Sequence, residues 1–121
     1  MRRTILTVDD SRTIREMLKA ALTDAGMEVF QAGDGIHGME VLEACAPDVI
    51  ITDINMPRMD GFAFIEAVRG SLRLRAIPIL VLTTESSGDK KDRARRAGAS
   101  GWIVKPFDPA KLIGAIDRVA A

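Results

Sequence analysis

Apolar residues along the chain follow two alternating patterns. Short apolar runs, rich in Ile, Val and Leu, are typical of strands buried on both faces of a sheet. Between these runs, apolar residues recur every three or four positions, which is typical of helices with one buried face. The predicted strands are residues 4–8, 27–31, 48–52, 77–82 and 101–104, and the predicted helices are residues 12–25, 35–46, 61–69, 86–97 and 109–120.

Glycine, aspartate and proline mark the ends of the predicted helices. Gly26 and Gly98 follow the last residue of a helix, where a left-handed residue commonly closes the final turn. Asp34 precedes the second helix and Asp108 the fifth, and both are suited to cap a helix N-terminus. Pro109 then occupies the first helical position, where the missing N–H is not needed.

Five repeats of strand and helix predict an α/β fold. Parallel strands need crossover helices, so the alternation indicates a doubly wound (βα)5 fold with a parallel five-stranded sheet and helices on both faces. The helix residues Met17 and Met39 are expected to face the core. The chain of 121 residues is long enough for one core and too short for two. We therefore expect a single domain over residues 1–121, with no output domain.

Bulk composition excludes several classes of protein. Seventeen basic and seventeen acidic residues give a formal net charge of zero, so a general attraction to nucleic acid is not expected. No apolar run reaches the length of a membrane span, and the first run ends at Asp9, too early for a signal peptide. The single cysteine, Cys45, excludes an internal disulfide. These features predict a cytoplasmic protein with no membrane or nucleic-acid partner.

Four of the predicted strands end at a side chain that can ionise or form hydrogen bonds. Two acids follow the first strand, one acid the third, a hydroxyl the fourth and an amine the fifth: Asp9, Asp10, Asp53, Thr83 and Lys105. The carboxyl ends of parallel strands share one edge of the sheet, and ligands bind at that edge. Singly, each residue has an ordinary structural explanation; Asp10, for example, could cap the first helix. Their joint placement favours a common site.

Three neighbouring carboxylates predict a divalent cation. Their mutual repulsion raises the pKa of at least one carboxyl group unless a cation neutralises the cluster. Hard oxygen ligands that leave room for water suit Mg²⁺. We predict that Asp10, Asp53 and the backbone carbonyl of Asn55 coordinate Mg²⁺, and that Asp9 holds it through a water molecule.

The remaining residues of this edge suit a phosphoryl group. Charge develops on the equatorial oxygens during phosphoryl transfer, and the Lys105 ammonium and the Thr83 hydroxyl can each bind one of them. Asp53 is then the nucleophile, since carboxylates can form acyl phosphates. The residues by themselves therefore indicate an Mg²⁺-dependent phospho-accepting aspartate.

The order of these residues over the whole chain resembles that of response-regulator receiver domains, in particular the CheY-like chemotaxis proteins. The specific local matches are segment 53–61, which reads DINMPRMDG, segment 98–101, which reads GASG, and segment 105–107, which reads KPF. The resemblance implies the flavodoxin-like strand order 2-1-3-4-5. It also implies a cis peptide bond between Lys105 and Pro106.

The same resemblance implies a role in a two-component system. A sensor histidine kinase of the chemotaxis type would phosphorylate Asp53, and Thr83 and Lys105 would relay the change to a face formed by the fourth helix, fifth strand and fifth helix. The target would be a flagellar switch protein or another phospho-dependent partner, and the chain a monomer. Its only reactions would be self-directed phosphoryl transfer and autodephosphorylation.

Two other functions stay open at this point. The first is a stand-alone receiver that acts as a phosphorelay intermediate or a phosphate sink. The second, more remote, is a haloacid-dehalogenase-like phosphatase, which uses a similar set of residues around Mg²⁺. That class has an aspartate two residues after its nucleophile as general acid, and Asn55 cannot supply that proton.

Three further residues around the predicted site bear on its function. Trp102 stands where the family has Tyr or Phe, so its ring is either a switch that moves inward together with Thr83 or an aromatic that stays outside and faces a partner. Asn55 and Glu85 lie two residues beyond Asp53 and Thr83 respectively. We expect these two side chains to tune the lifetime of the acyl phosphate.

The predicted helix 86–97 is strongly basic. Five cations stand against Asp89 and Asp92, and these cations are Lys90, Lys91, Arg93, Arg95 and Arg96. Each acid is expected to pair with the arginine four residues on. Together with Trp102, the five cations are predicted to form a docking face for an acidic partner.

Overall fold

A computed structural model describes residues 2–120 as five strands and five helices in strict alternation. The strands are β1 (Thr4–Val8), β2 (Glu28–Ala32), β3 (Val49–Thr52), β4 (Ile79–Thr83) and β5 (Gly101–Val104). The helices are α1 (Arg12–Asp24), α2 (Gly35–Ala44), α3 (Gly61–Gly70), α4 (Gly88–Ala97) and α5 (Pro109–Ala120). None of these helices is long and apolar enough to cross a membrane. The strands are parallel in the order β2-β1-β3-β4-β5, which confirms the predicted doubly wound (βα)5 fold.

The sheet is covered on both faces because its inner strands are apolar on both faces. Leu6 of β1 and Ile50 of β3 belong to the core under α2, α3 and α4. Ile5 and Val49, the preceding residues of the same strands, belong to the core under α1 and α5. The register pairs Ile5 with Val49 and Leu6 with Ile50, so each core is continuous from strand to strand. This double burial is why the strands read as continuous apolar runs.

Most helix ends follow the predicted capping residues. The side chain of Asp34 accepts a backbone N–H at the start of α2, and Gly26 and Gly98 both have left-handed backbones just after a helix. Asp10 does not cap α1, the alternative structural role considered for it, because Ser11 is the N-cap of that helix. The carboxylate of Asp10 therefore lies exposed at the edge of the sheet.

Some boundaries differ from the predicted ones. Helix α2 ends at Ala44 instead of residue 46, because its C-cap Cys45 is extended, with a φ of −138°. The residue before Pro47 is also disfavoured from the helical region. Helix α4 begins at Gly88 instead of residue 86, because Ser87 is its N-cap. The remaining differences are shifts of one or two residues at the ends of helices and strands.

The two methionines expected in the core lie in different environments. Met39 is partly buried against the core beneath α2, in agreement with the prediction. Met17 is 50% exposed, so the prediction for this residue is wrong. The buried stripe of α1 is formed by Leu18 and Leu22, and Met17 lies beside that stripe.

Candidate functional site

The carboxyl ends of β1 and β3 bring three carboxylates together. Oxygens of Asp9, Asp10 and Asp53 lie within 4.8 Å of one another. Asp9 and Asp53 are buried, whereas Asp10 faces solvent. The structure thus joins the three acids that the sequence assigned to one edge. A cluster of hard oxygen donors that opens to water on one side is the donor set that Mg²⁺ prefers, so these residues fit that ion.

The side chain of Lys105 reaches this cluster from the end of β5. Its Nζ donates to Asp9 Oδ2 at 2.8 Å and to Asp53 Oδ2 at 2.9 Å. Burial acts to lower the pKa of Lys105, but the two carboxylates outweigh it and hold the pKa above its ordinary value of 10.5. The ammonium is therefore charged at neutral pH and offsets part of the repulsion among the acids. The bond from Lys105 to Pro106 is cis, as predicted.

Asp9 is held from three sides. Its Oδ1 accepts the backbone N–H of Ser11 at 2.9 Å, and its carbonyl accepts Arg15 Nη1 at 2.7 Å. Burial raises the pKa of the Asp9 carboxyl above 3.8, and the bonds from Lys105 and Ser11 counter only part of that rise. The role of Arg15 was not predicted, since a charged residue one turn into a helix carries no signal of a contact with the preceding strand.

Asp53 is oriented by its own loop. Its Oδ1 accepts the N–H of Ile54 at 2.7 Å, which leaves Oδ2 for Lys105. The loop folds back so tightly that Gly61 N donates to Ile54 O at 2.8 Å. A β-carbon on Gly61 would collide with the Asp53 carbonyl. Segment 53–61 is therefore a compact turn that presents one carboxylate oxygen to the cluster.

Thr83 lies buried at the end of β4, next to the loop that starts α4. Its hydroxyl accepts the N–H of Glu85 at 3.3 Å, and its carbonyl accepts the N–H of Lys105 at 2.7 Å. The residues that supply the hydroxyl and the amine are thus joined through the backbone at the same edge of the sheet.

Glu85 links three elements at the rim of the site. Its Oε1 accepts Asn55 Nδ2 at 3.2 Å and Lys90 Nζ at 2.9 Å, and its backbone carbonyl accepts Trp102 Nε1 at 3.2 Å. The hydrogen bonds from Lys90 and then from Asn55 lower the pKa of the Glu85 carboxyl. The sequence indicated Asn55 and Glu85 as neighbours of the site but did not identify Lys90 as their partner.

Trp102 is a half-buried residue of β5 on the side of the sheet that faces α4. Its ring packs against the core on the α4 side of the sheet and borders a 110 Å³ cavity together with Ala94 and Arg95. Because its N–H is bound to Glu85, the indole is attached to the same loop that contacts the Thr83 hydroxyl.

The acids of α4 do not form the two predicted ion pairs. Asp92 binds Arg95 at 2.6 Å, three residues away instead of four. The guanidinium of Arg93, expected to pair with Asp89, lies 4.0 Å from the centroid of the Phe62 ring. A cation over an aromatic face gains more from contact with a desolvated ring than a fully exposed pair gains in water.

The cations of α4 are also divided between two surfaces. Lys91 and Arg95 border the cavity beside Trp102. Arg93 and Arg96 line a groove between α3 and α4 on a different side of the helix. The fifth cation of the helix, Lys90, is bound to Glu85 at the rim of the site. The expected single face with Trp102 is therefore smaller than predicted.

Comparison with known proteins identifies the family. The family profile described as response regulator receiver domain matches residues 5–117. Chemotaxis protein CheY1 of Helicobacter pylori is 42% identical over 110 residues, which are 89% of each chain. The solved structure of chemotaxis response regulator CheY4 of Vibrio cholerae superposes with a TM-score of 0.92 and 45% identity, over 98% of this chain and 99% of that chain.

The chain belongs to the response regulator receiver domain family. It is the receiver domain of a response regulator, and its CheY relatives point to chemotaxis. Receiver domains are not conventional enzymes, and they typically bind Mg²⁺. The receiver domain of sensor histidine kinase PA1611 from Pseudomonas aeruginosa, 27% identical with a TM-score of 0.91 over 99% of this chain and 98% of that chain, holds a magnesium ion in its active site cleft.

Proposed function

We propose that this chain accepts a phosphoryl group on Asp53 from the phosphohistidine of a sensor histidine kinase, with Mg²⁺ bound. The observation that carries the proposal is the contact of Lys105 with both Asp53 and Asp9, beside the exposed carboxylate of Asp10. Strand β3 lies between β1 and β4 in the sheet, so Asp53 stands between the acid pair and Thr83. That central position suits the nucleophile.

In this reaction an oxygen of Asp53 attacks phosphorus while the P–N bond of the phosphohistidine breaks. The bonding electrons stay on the imidazole of the kinase, and an acyl phosphate remains on Asp53. Lys105 changes from bridging two carboxylates to binding a phosphoryl oxygen. Bound Mg²⁺, held by Asp10, Asp53 and the Asn55 carbonyl and through water by Asp9, would neutralise charge on the phosphoryl oxygens.

Thr83 and Trp102 are the residues proposed to transmit the change. A Thr83 hydroxyl that turns to the phosphoryl group releases the N–H of Glu85. Because the indole N–H is bound to the carbonyl of Glu85, movement of that residue displaces Trp102. The surface of α4, β5 and α5 then changes beside Lys91 and Arg95, which suits a partner with acidic side chains.

The finer biological role rests on the relatives. We assign residues 1–121 to a receiver domain that acts as a cytoplasmic monomer. Histidine kinases and downstream targets are the partners of CheY-like receivers, and the specific target assigned here is a flagellar switch protein. Hydrolysis of its own acyl phosphate, tuned by Asn55 and Glu85, is the only turnover that this function needs.

Mass spectrometry of the intact protein tests the proposal. With Mg²⁺ and a small-molecule phosphodonor, the wild-type chain should gain the mass of one phosphoryl group, and Asp53→Asn should gain none. Phosphorylated and unphosphorylated forms should then differ in their binding to a purified flagellar switch protein. Steady turnover of a simple phosphate ester without retention of phosphate would instead support a phosphatase.

A further inference from the structure

Arg58 has an unusual backbone conformation in the loop between β3 and α3. Its φ is +65°, a left-handed value that residues with a β-carbon rarely adopt. The N–H of Met59 donates to the carbonyl of Pro57 at 2.7 Å, so Arg58 is the central residue of a γ-turn. With a positive φ this is the rare, strained form of that turn. A strained residue persists only where the surrounding contacts hold it, and such residues cluster at functional sites.

Asp34 provides the first of these contacts. Arg58 Nε donates to Asp34 Oδ2 at 2.8 Å, and Arg58 Nη2 donates to Asp34 Oδ1 at 3.0 Å. This two-point pairing requires the planar guanidinium and is directional as well as electrostatic. Asp34 itself is fixed, because its side chain is 12% exposed and caps α2 by accepting the N–H of His37 at 2.9 Å.

Gly35 provides the second contact. Its N–H donates to Met59 O at 3.2 Å, and a β-carbon at Gly35 would lie 2.6 Å from Met59 Cγ. Two successive loop residues, Arg58 and Met59, therefore bind two successive residues at the start of α2. The loop cannot change its course without breaking both contacts.

The anchored part of the loop contains a predicted metal ligand. At its beginning, Ile54 O accepts the N–H of Gly61 at 2.8 Å. At its other end, the chain is held at Arg58 by Asp34. Asn55 lies between these two anchors, so the direction of its backbone carbonyl depends on both of them.

We propose that the Arg58–Asp34 pair positions the Asn55 carbonyl and thereby sets the affinity of the site for Mg²⁺. The inference rests on the proposed function, because it assumes the same ion and the same ligands. Arg58 acts through the loop, and its only side-chain ion pair within the described part of the chain is with Asp34. It is therefore a positioning residue.

Calorimetric titration of the unphosphorylated protein with MgCl₂ tests this directly. Arg58→Ala should weaken Mg²⁺ binding about tenfold, the lower end of the range for groups that orient metal ligands. Arg58→Gly should bind as weakly as Arg58→Ala yet melt at a higher temperature, because glycine accepts the positive φ without strain. Asp34→Asn keeps a capping side chain and should weaken binding similarly, with no further loss in the double variant Asp34→Asn/Arg58→Gly.

Arg3→Ala is the matched control. Arg3 pairs with Asp117 at 3.4 Å, at the start of β1 and therefore at the opposite edge of the sheet, so its loss should leave the Mg²⁺ affinity unchanged. Wild-type affinity in Arg58→Ala would overturn the proposal. Recovery of affinity in Arg58→Gly alone would overturn it too, because backbone strain and not the ion pair would then control the site. A wild-type protein that binds no Mg²⁺ would contradict the proposed function itself.

Discussion

Lys105 Nζ lies 2.9 Å from Asp53 Oδ2 and joins the last strand of the sheet to the central one. The same ammonium lies 2.8 Å from Asp9 Oδ2, so one cation serves two buried carboxylates from different strands. Removal of Lys105 would take away the ammonium that offsets part of the repulsion among these two acids and Asp10. The proposed chemistry and the stability of the fold therefore depend on the same side chain.

Lys105→Met should make the protein depend on Mg²⁺ for stability. We expect a loss of about 1–3 kcal/mol in the free energy of unfolding in EDTA, because buried carboxylates lose a charged hydrogen-bond donor. Mg²⁺ should restore much of that loss, while phosphorylation of Asp53 should become far slower. Denaturant unfolding with and without Mg²⁺ measures the first effect. Equal losses in both conditions would show that the lysine does not balance the acid cluster.

Asp9 should reduce the stability of the protein as pH rises. Burial raises the pKa of its carboxyl in the folded state, so the folded chain holds this proton more tightly than the unfolded chain. Its contribution is therefore most favourable below its ordinary pKa of 3.8 and declines as pH rises through the raised value. Unfolding of wild type and Asp9→Asn in EDTA, from acid to neutral pH, should show the wild type losing stability relative to the variant.

Asp34 serves as the comparison of opposite sign. The hydrogen bonds from Arg58 lower the pKa of its carboxyl, so its contribution is present above pH 3.8 and is lost as pH falls through the lowered value. Wild type should therefore gain stability relative to Asp34→Asn as pH rises. If the free energies of unfolding of wild type and Asp9→Asn instead changed in parallel with pH, the burial that raises the pKa of Asp9 would be contradicted.

Trp102 should report phosphorylation through its fluorescence. It is the single tryptophan of the chain, and its indole N–H is bound to the loop that contacts the Thr83 hydroxyl. A stable mimic of the phosphoryl group, such as beryllofluoride, should change the emission of the wild-type protein. In Thr83→Ala the mimic should bind with little change in emission. Unchanged emission in the wild type, with binding of the mimic verified by calorimetry, would contradict the proposed transmission from Thr83 through Glu85 to Trp102.

Glu85 and Lys90 should control the lifetime of the acyl phosphate. The carboxylate of Glu85 spans the rim between Asn55 and Lys90, so its removal opens the site to water. We expect the acyl phosphate of Glu85→Ala to be hydrolysed about three- to tenfold faster than that of the wild type. The acyl phosphate of Lys90→Met should also be hydrolysed faster, by a smaller factor. The decay of purified phosphoprotein measures both rates. Lys19→Met, an exposed lysine on α1, is the control and should decay as the wild type does.

The strands and most helix ends could be predicted because each follows from a local cause. Burial on both faces makes β3 and β4 continuous apolar runs, and a glycine such as Gly98 commonly closes a helix because it adopts the left-handed conformation easily. The convergence of Asp9, Asp53 and Lys105 followed from sheet geometry, since parallel strands share an edge at their carboxyl ends. These inferences needed no knowledge of side-chain contacts.

Contacts between distant or exposed side chains could not be predicted in the same way. Asp34 and Arg58 are 24 residues apart, and both have ordinary local explanations as a cap and a surface charge. On α4, the alternatives for Arg93 differ by a fraction of a kcal/mol in water, and the nearby Phe62 ring decides between them. Such choices depend on which groups tertiary packing brings together.

Chemical trapping of the phosphorylated residue tests the central claim most directly. Borohydride reduces an acyl phosphate of aspartate to homoserine, which marks the modified position permanently for peptide mass spectrometry. After incubation with a phosphodonor and Mg²⁺, the mark should appear at Asp53, and should be absent when EDTA replaces Mg²⁺. A mark at Asp9 or Asp10, or retained phosphate that borohydride does not convert, would contradict the assignment of Asp53 as the phospho-accepting residue.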